Sequence, residues 1–343
     1  MSAGRDVTAW VYGCTDVGLV RKSNEDAFVI ADLATKSAAA SHIPETTDAV
    51  PDEFTMRGEE AVVGRRVIGP QGLFLAVSDG MGGAEAGEIA SFLVIESLRG
   101  NLAEPGDKST GKLVRAAVER ANEVVFEAAE KHAHRSGMGA TLSAVFVREN
   151  RAYVCGVGDS RCYVIRGGRI RQITRDQSLV ESLVELGHIT REQAETSPHK
   201  NIILQALGTK RDVAVALNRL ALRRGDMLLL CSDGLSGKVG AEEMLTLALD
   251  GPTIEVACRR MVTLAKERGG EDNITLILAH FSGSGLEQAE DETVTGALEK
   301  IHGFNHAAGI GYDDDGEETQ PLDTKTRDTA KMAPPPGDDD ASR

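Results

Sequence analysis

The tripeptide Ser-Asp-Gly occurs twice in this chain, and each copy directly follows a short apolar run. Residues 73–77 precede Ser78-Asp79-Gly80, and residues 227–231 precede Ser232-Asp233-Gly234. Short apolar runs bounded by turn residues predict buried strands. Each aspartate therefore lies where a buried strand meets the edge of a sheet, and the glycine after it lets the backbone approach a ligand closely. The repeat requires a β-rich core whose strand ends carry carboxylates.

Two more aspartates occupy similar positions: Asp159 follows the predicted strand 152–157, and Asp272 precedes the last predicted strand, 274–279. Acids buried together repel one another unless something neutralises them. Any one of these sites alone is better explained by a tight turn, but the four sites together favour a pair of divalent cations. Ligands that are all oxygen suit Mn²⁺ or Mg²⁺. Two such ions activate a water and stabilise in-line attack on phosphorus.

A charged segment near the start of the chain supplies a cation for the substrate. Arg21 offers a planar fork to two phosphate oxygens, which Lys22 cannot do. Glu25 and Asp26 are placed to accept hydrogen bonds from waters at the metals. Taken alone, the same stretch is also typical of a solvated surface loop.

The pattern of apolar residues predicts an α+β fold. Strands are expected at 9–12, 27–30, 73–77, 140–146, 152–157, 162–165, 213–222, 227–231 and 274–279, and helices at 84–99, 112–132, 240–249 and 254–268. Short turns such as 148–151 and 166–169 indicate antiparallel hairpins. Because strands come in runs and helices in pairs, we expect two packed antiparallel β-sheets flanked by α-helices on both sides.

Composition divides the chain into two parts. Residues 283–343 hold 15 acidic and 5 basic residues, a net charge of −10 out of −15 for the whole chain. We expect this acidic tail to be disordered, apart from one short helix within 292–304. Residues 1–282 are expected to form one catalytic domain, with a loop insertion at 32–70 and a small excursion with two short helices, the flap, at 177–208.

Six stretches, in this order along the chain, resemble the PPM family of metal-dependent Ser/Thr protein phosphatases (type 2C) in its bacterial form. They are RKSNED (21–26), SDGMGG (78–83), GMGATL (137–142), GVGDSR (156–161), LLLCSDGLSG (228–237) and GGEDNITL (269–276). The resemblance implies the PPM-type phosphatase fold and hydrolysis of phosphoserine and phosphothreonine. It also implies phosphorylated proteins as partners, including a Ser/Thr protein kinase and its substrates.

The resemblance also implies roles for single residues. Asp79 is expected to bridge two core metals, and the carbonyl of Gly80 to bind the first of them. Asp233 and Asp272 are expected to bind the second metal, and Asp159 a third, weaker one. Arg21 is expected to bind phosphate, with Glu25 and Asp26 holding waters.

One departure from the family concerns the general acid. Many eukaryotic members have a histidine after the Asp-Gly pair, where this chain has Met81, which cannot donate a proton. The acid is then a water at the metals, or His132 or His134, although a surface histidine is the commoner case.

Three rival functions stay open at this point. Cys155 and Arg161 match the Cys-x5-Arg pattern of cysteine-dependent phosphatases, but Asp159 would place a negative charge inside the phosphate loop. The second rival is a catalytically weak PPM-like module that binds phosphoproteins. The third is a metal-dependent nuclease, which the net charge of −15 disfavours along with nucleic-acid partners.

The remaining features bear on location. The sequence has no apolar run of membrane-spanning length and no signal-peptide pattern, so no membrane association is expected. Five cysteines without a CxxC pair fit a reducing, cytoplasmic location.

Overall fold

The computed structural model describes residues 6–33, 62–103, 109–132, 135–289, 298–305 and 310–313. The strands are β1 Thr8–Asp16, β2 Asp26–Asp32, β3 Val62–Val67, β4 Leu73–Met81, β5 Gly139–Ala140, β6 Leu142–Arg148, β7 Arg151–Val157, β8 Arg161–Arg166, β9 Arg169–Gln172, β10 Ala216–Ala221, β11 Arg223–Arg224, β12 Met227–Cys231, β13 Ile274–Ser282, β14 Glu287–Gln288, β15 Leu298–Asn305 and β16 Ile310–Asp313. The helices are α1 Ala84–Ala103, α2 Thr110–Lys131, α3 Leu179–Glu185, α4 Arg191–Glu195, α5 Asp233–Ser236, α6 Ala241–Asp250 and α7 Ile254–Glu267. Within the described residues, no helix has both the length and the apolar character needed to cross a bilayer.

Two antiparallel sheets form the centre of the fold. One has the order β3-β1-β13-β12-β8-β9, and the other has the order β16-β15-β10-β7-β6-β4-β2, with β5 paired to β4. The hairpin between β8 and β9 turns through Gly167 and Gly168, which have φ of 57° and 70°. Two successive positive φ values define the tight turn that suits the twist of a hairpin, and glycine adopts them without strain. The predicted pair of antiparallel sheets is confirmed.

Three buried clusters show how the layers stack. Along β4, Leu73, Leu75 and Val77 pack between the two sheets, while Phe74 and Ala76 pack toward α1 and α2. This alternation follows from the period of two in a strand, and it explains why residues 73–77 are apolar throughout. A third cluster joins the outer face of the other sheet to α6 and α7. The expected four-layer arrangement, helices outside two sheets, is therefore present.

Strands appear in two segments expected to be irregular. Val62–Val67, within the predicted insertion 32–70, pairs with β1, while residues 34–61 lie outside the described residues. Leu298–Asn305, within the predicted acidic tail, pairs with β10, and Ile310–Asp313 pairs with β15. The expected helix at 292–304 is therefore wrong for residues 298–304. Without this segment, β10 would be an edge strand with unpaired backbone groups on one side. Pairing with those groups explains why residues 298–305 form a strand. Residues 314–343 lie outside the described residues.

Candidate active site

Acidic side chains from five separate segments meet at one end of the sandwich. Asp26 opens β2 and Asp79 lies near the end of β4, and the two residues are direct partners in the antiparallel pair. The other three are Asp159, which follows β7, Asp233, which opens α5, and Asp272, which precedes β13. Asp26, Asp79 and Asp159 lie in or next to strands of one sheet. Asp233 and Asp272 lie next to strands of the other sheet, so the cluster bridges the two sheets.

The carboxyl of Asp79 feels the other four aspartates. Burial raises the pKa of Asp79 well above its ordinary value, and the nearby charges of Asp26, Asp233, Asp159 and Asp272 raise it further. Asp79 is therefore within electrostatic range of the whole cluster.

The neighbours of Asp79 are perturbed in the same direction. Burial raises the pKa of Asp26 to about 7, with hydrogen bonds from Thr275 and Ser232 opposing the shift. Burial and then the charge of Asp233 raise the pKa of Asp159 to about 7. Burial and the charges of their neighbours therefore disfavour ionisation of all these carboxyls together.

The carboxyl of Asp233 also interacts with that of Asp79. Burial and the charge of Asp272 raise the pKa of Asp233, while a hydrogen bond with Asp79 lowers it. Neighbouring buried carboxyls favour a proton or a cation between them.

The donor set fits hard divalent cations. Among the described residues, Asp26 Oδ1 and Asp233 Oδ1 are buried oxygens without a hydrogen-bond partner, and buried oxygens of this kind call for an ion or water. In the described part of the chain, no group of three or more His, Cys, Asp or Glu side chains is arranged to hold a metal ion. Mg²⁺ keeps several waters and binds through one or two carboxylates, so a set of this kind suits it.

Glycine at position 80 lets the backbone enter the cluster. A Cβ on Gly80 would lie 1.9 Å from the carbonyl oxygen of Gly87, at the start of α1. The Gly80 amide donates to the carbonyl of Glu25 at 3.1 Å. The backbone at the end of β4 is thus fixed between β2 and α1, in a position open only to glycine.

Thr141, in the short link between β5 and β6, positions Asp79. Its hydroxyl accepts from the Asp79 amide at 3.0 Å and is bonded to the Ser160 hydroxyl at 2.7 Å. Its own amide donates to the Asp79 carbonyl at 2.8 Å. One buried threonine therefore connects the segments that carry Asp79 and Asp159. No sequence pattern predicts this role for Thr141, although the residue lies in the stretch GMGATL.

Asn273 ties the Asp272 loop to the charged N-terminal segment. Its Oδ1 accepts from the Glu25 amide at 2.8 Å, and its Nδ2 donates to the carbonyls of Val17 and Ser23, both at 3.0 Å. A Cβ on Gly234 would lie 1.9 Å from its carbonyl oxygen. Asn273 therefore holds three segments together. Its position directly after Asp272 was the one sequence signal for it.

Arg21 and Glu25 lie beside the aspartates. The Arg21 guanidinium donates to Asp272 Oδ2 at 2.9 Å, and its side chain is 47% exposed. Glu25 is buried, its carboxyl lies 3.8 Å from the guanidinium, and burial raises its pKa. The structure thus brings all the predicted side chains and Gly80 together, with a half-exposed cation at the rim.

A cavity of about 880 Å³ extends from the cluster toward residues 177–208. Asp159, Asp233 and Asp272 line one side of it. Helices α3 and α4 occupy the positions expected for two short helices around Gly187, and Val180, Glu181 and Arg191 line the other side. The cluster therefore opens into a space large enough for a bound ligand.

Two contacts anchor the 177–208 segment to the Asp159 loop. Arg161 donates to Asp176 through Nε at 2.9 and 3.0 Å and through Nη2 at 2.6 Å. The Gly158 amide donates to Gln177 Oε1 at 2.9 Å. Because Gly158 has φ of 88°, a conformation that favours glycine, the turn before Asp159 is fixed in both shape and position.

The cysteine alternative does not fit this geometry. Cys155 is fully enclosed within β7, and burial raises the pKa of its thiol to about 12. An attacking cysteine needs a lowered pKa and access to substrate. Arg161 of the Cys-x5-Arg pattern is instead bound to Asp176.

The positions discussed for the general acid lie in different places. Met81 is 36% exposed beside the cluster, and His132 follows the end of α2. His134 lies outside the described residues.

Comparison with known proteins places this arrangement in context. Residues 65–279 match the family described as protein phosphatase 2C. The serine/threonine protein phosphatase PstP of Mycobacterium tuberculosis is 42% identical over 206 residues, which cover 60% of this chain but only 40% of that protein. The serine/threonine phosphatase stp of Listeria monocytogenes is 36% identical over 206 residues, covering 59% of this chain and 82% of that protein.

A solved structure agrees with the sequence relatives. The catalytic domain of the phosphatase PstP, solved in complex with two manganese ions, superposes with a TM-score of 0.63 at 32% identity, covering 80% of this chain and 99% of that one. The two packed antiparallel sheets with helices outside them are therefore the fold of a metal-dependent serine/threonine phosphatase. The chain belongs to the protein phosphatase 2C family.

Proposed function

We propose that this chain is a protein serine/threonine phosphatase that hydrolyses phosphoserine and phosphothreonine with two Mn²⁺ or Mg²⁺ ions. The observation that carries the proposal is the convergence of five aspartates at one end of the sandwich. Burial and nearby carboxylates raise the pKa values of four of them, Asp26, Asp79, Asp159 and Asp233. A fold keeps such a destabilising cluster where a functional ligand neutralises it. The family relationship and the manganese-bound neighbour support the same conclusion.

The family relationship, together with the convergence of these residues, supports the metal-holding roles. Asp79 would hold both core ions, with the Gly80 carbonyl as a ligand of the first. Asp233 and Asp272 would hold the second ion, and Asp159 a third, weaker one. When bound, the ions supply an activated water and stabilise charge on the phosphoryl oxygens.

The remaining residues act on the substrate and on water. Arg21 binds two phosphate oxygens through its planar fork, and its exposure at the rim supports this role. Glu25 and Asp26 orient waters, which the unpartnered Oδ1 of Asp26 favours. Asn273 and Thr141 hold these groups in place through the contacts described above.

The substrates we propose are phosphorylated proteins, among them a Ser/Thr protein kinase and the proteins it modifies. The cavity beside the cluster is open and lined on its far side by residues 177–208, which we propose as the flap that contacts the substrate. All five cysteines are buried free thiols. They fit the cytoplasmic location that we propose for the protein.

Activity on phosphothreonine, phosphoserine and phosphotyrosine peptides in Mn²⁺, Mg²⁺ and EDTA tests the proposal. We expect turnover of the first two peptides, dependence on added metal, and insensitivity to iodoacetamide. Asp250→Asn, at an exposed position at the end of α6, is the control for variants of the aspartate cluster. Absence of turnover despite tight Mn²⁺ binding would identify a phosphoprotein-binding module instead, and activity that survives EDTA would overturn the metal mechanism.

A further inference from the structure

A cavity of about 450 Å³ lies between strand β1 and helix α7, apart from the aspartate cluster. We call it the β1–α7 cavity. Its volume falls within the range of small-molecule sites. Tyr12 and Cys14 on the outer face of β1 line it, and Leu19 and Val262 add apolar surface.

One polar group at this cavity lacks a partner. The Tyr12 hydroxyl is buried and has no hydrogen-bond partner among the described residues. Burial raises the pKa of Tyr12 to about 12, so the hydroxyl stays protonated and can donate at neutral pH. A buried donor of this kind is satisfied by water or by a ligand.

A cation lies over the same tyrosine. The Arg259 guanidinium carbon is 5.9 Å from the centre of the Tyr12 ring. Its ion-pair partner Glu255, one turn earlier on α7, is 3.2 Å away, with side chains 53% and 41% exposed. Exposed pairs of this type are weak, so Arg259 is free to exchange Glu255 for another anion.

The wall of the cavity is joined to the active site. Asp16 accepts from Lys266 Nζ and from the Gly18 amide, both at 2.8 Å. The Leu19 amide donates to the Gly270 carbonyl at 2.7 Å. Gly270 is two residues before Asp272, and Arg21 is two residues after Leu19. This hydrogen bond therefore connects the wall of the cavity to both sides of the Arg21–Asp272 contact.

We propose that the β1–α7 cavity binds a small amphipathic anion. Its aromatic or aliphatic body packs against Leu19 and Val262, and its anionic group pairs with the exposed guanidinium of Arg259, which lies over the Tyr12 ring. Binding fixes the 16–19 segment and thereby changes the affinity of the active site for phosphate. The effect on turnover rests on the proposed phosphatase function, whereas binding does not.

The probe is 8-anilinonaphthalene-1-sulfonate, which joins an aromatic body to a sulfonate, measured by fluorescence titration of the full chain. Thr263→Trp fills the cavity, and Thr246→Trp on α6 is the matched control. Both threonines are exposed on helices and donate to the carbonyl four residues earlier at 2.9 Å. We expect saturable binding to the wild type and to Thr246→Trp, and binding at least about tenfold weaker to Thr263→Trp and to Arg259→Gln.

Equal affinity of the wild type and a folded Thr263→Trp overturns the site, and circular dichroism melting establishes that each variant is folded. Equal affinity of Arg259→Gln overturns the proposed anion contact. A second measurement follows p-nitrophenyl phosphate turnover at saturating probe. A KM shift of about twofold or more, absent in Thr263→Trp, supports the coupling, and an unchanged KM overturns the coupling. If the protein shows no turnover at all, the phosphatase proposal fails while the titration still decides the site.

Discussion

Asp26 and Asp79 are direct partners across the antiparallel strands β2 and β4, so their side chains lie on the same face of the sheet. Like charges placed directly opposite each other destabilise a strand pair. Asp26 is 9% exposed, and Ser232 Oγ donates to its Oδ2 at 2.8 Å. The sheet therefore carries a built-in repulsion at the centre of the proposed metal site.

Replacing Asp79 by asparagine is expected to lower the catalytic rate and to raise the stability of the metal-free protein. Asp79→Asn is expected to lower kcat at least about 100-fold, since it removes a metal-holding carboxylate. The same change is expected to raise the melting temperature in EDTA, because it relieves repulsion within the cluster. Turnover and thermal melting measure the two effects. Activity like that of the wild type would refute the assigned role, and Asp250→Asn is expected to change neither quantity.

Stability without metal is expected to fall as the pH rises between roughly 4 and 7. Asp26 and Asp159 have a pKa of about 7 in the folded chain, mainly through burial, against an ordinary value near 4 when unfolded. In this range the folded state binds more protons than the unfolded state, so raising the pH favours unfolding. Each group contributes at most about 1.4 kcal/mol per pH unit.

Melting in EDTA across this pH range checks the prediction. The stability of Asp159→Asn is expected to decrease less with rising pH than that of the wild type, because the variant lacks one of the titrating groups. Saturating Mn²⁺ is expected to abolish this decrease, because it favours the ionised carboxylates. A free energy of unfolding that rises with pH more steeply in the wild type than in Asp159→Asn would contradict the assignment.

Arg21→Ala is expected to act mainly on substrate affinity. Loss of the fork removes at most roughly 2–4 kcal/mol of phosphate binding, so KM for a phosphopeptide rises while kcat changes less. Because Arg21 also donates to Asp272, its removal is expected to leave Mn²⁺ affinity unchanged or tighter. Steady-state kinetics and calorimetric titration with Mn²⁺ measure both. Arg21→Lys, which keeps the charge but not the fork, is the matched comparison, and a loss confined to kcat would count against phosphate binding.

Replacing Gly80 and Gly100 by alanine is expected to change the stability of the protein in opposite directions. Gly80→Ala is expected to destabilise by at least about 2 kcal/mol, because its Cβ would overlap the Gly87 carbonyl. An added Cβ on Gly100, within α1, would meet no atom within 4 Å apart from its chain neighbours and the backbone of its own helix, so alanine there is expected to stabilise by about 0.5–1 kcal/mol. Chemical denaturation of both variants tests the close approach, and equal stabilities would disprove it.

The strand at Leu298–Asn305 predicts a boundary for the folded part. A chain ended after residue 290 leaves β10 as an open edge, whereas a chain ended after residue 315 keeps β15 and β16. We expect the shorter chain to melt at a lower temperature and to aggregate more readily. Thermal melting with light scattering distinguishes the two, and equal behaviour would show that β15 adds nothing to stability.

The sequence by itself indicated most of the elements and most of the candidate site. The apolar runs located β1, β2, β4, β6, β7, β8, β10, β12 and β13, because a strand buried on both faces reads as continuous apolar sequence. They did not predict β3, β9, β11, β14, β15 or β16. The two Ser-Asp-Gly repeats located Asp79 and Asp233 at strand ends. Only the tertiary structure decided how the five aspartates meet, since strands far apart in the chain become neighbours through sheet order.

Tertiary structure also decided the roles of Thr141 and Asn273, because hydrogen bonds between distant segments leave no periodic signal. The conformation of residues 298–305 depended on the free edge of β10 rather than on local composition. Residue type and spacing determine local structure and the chemistry that each side chain can perform. Packing determines which of these side chains lie next to one another.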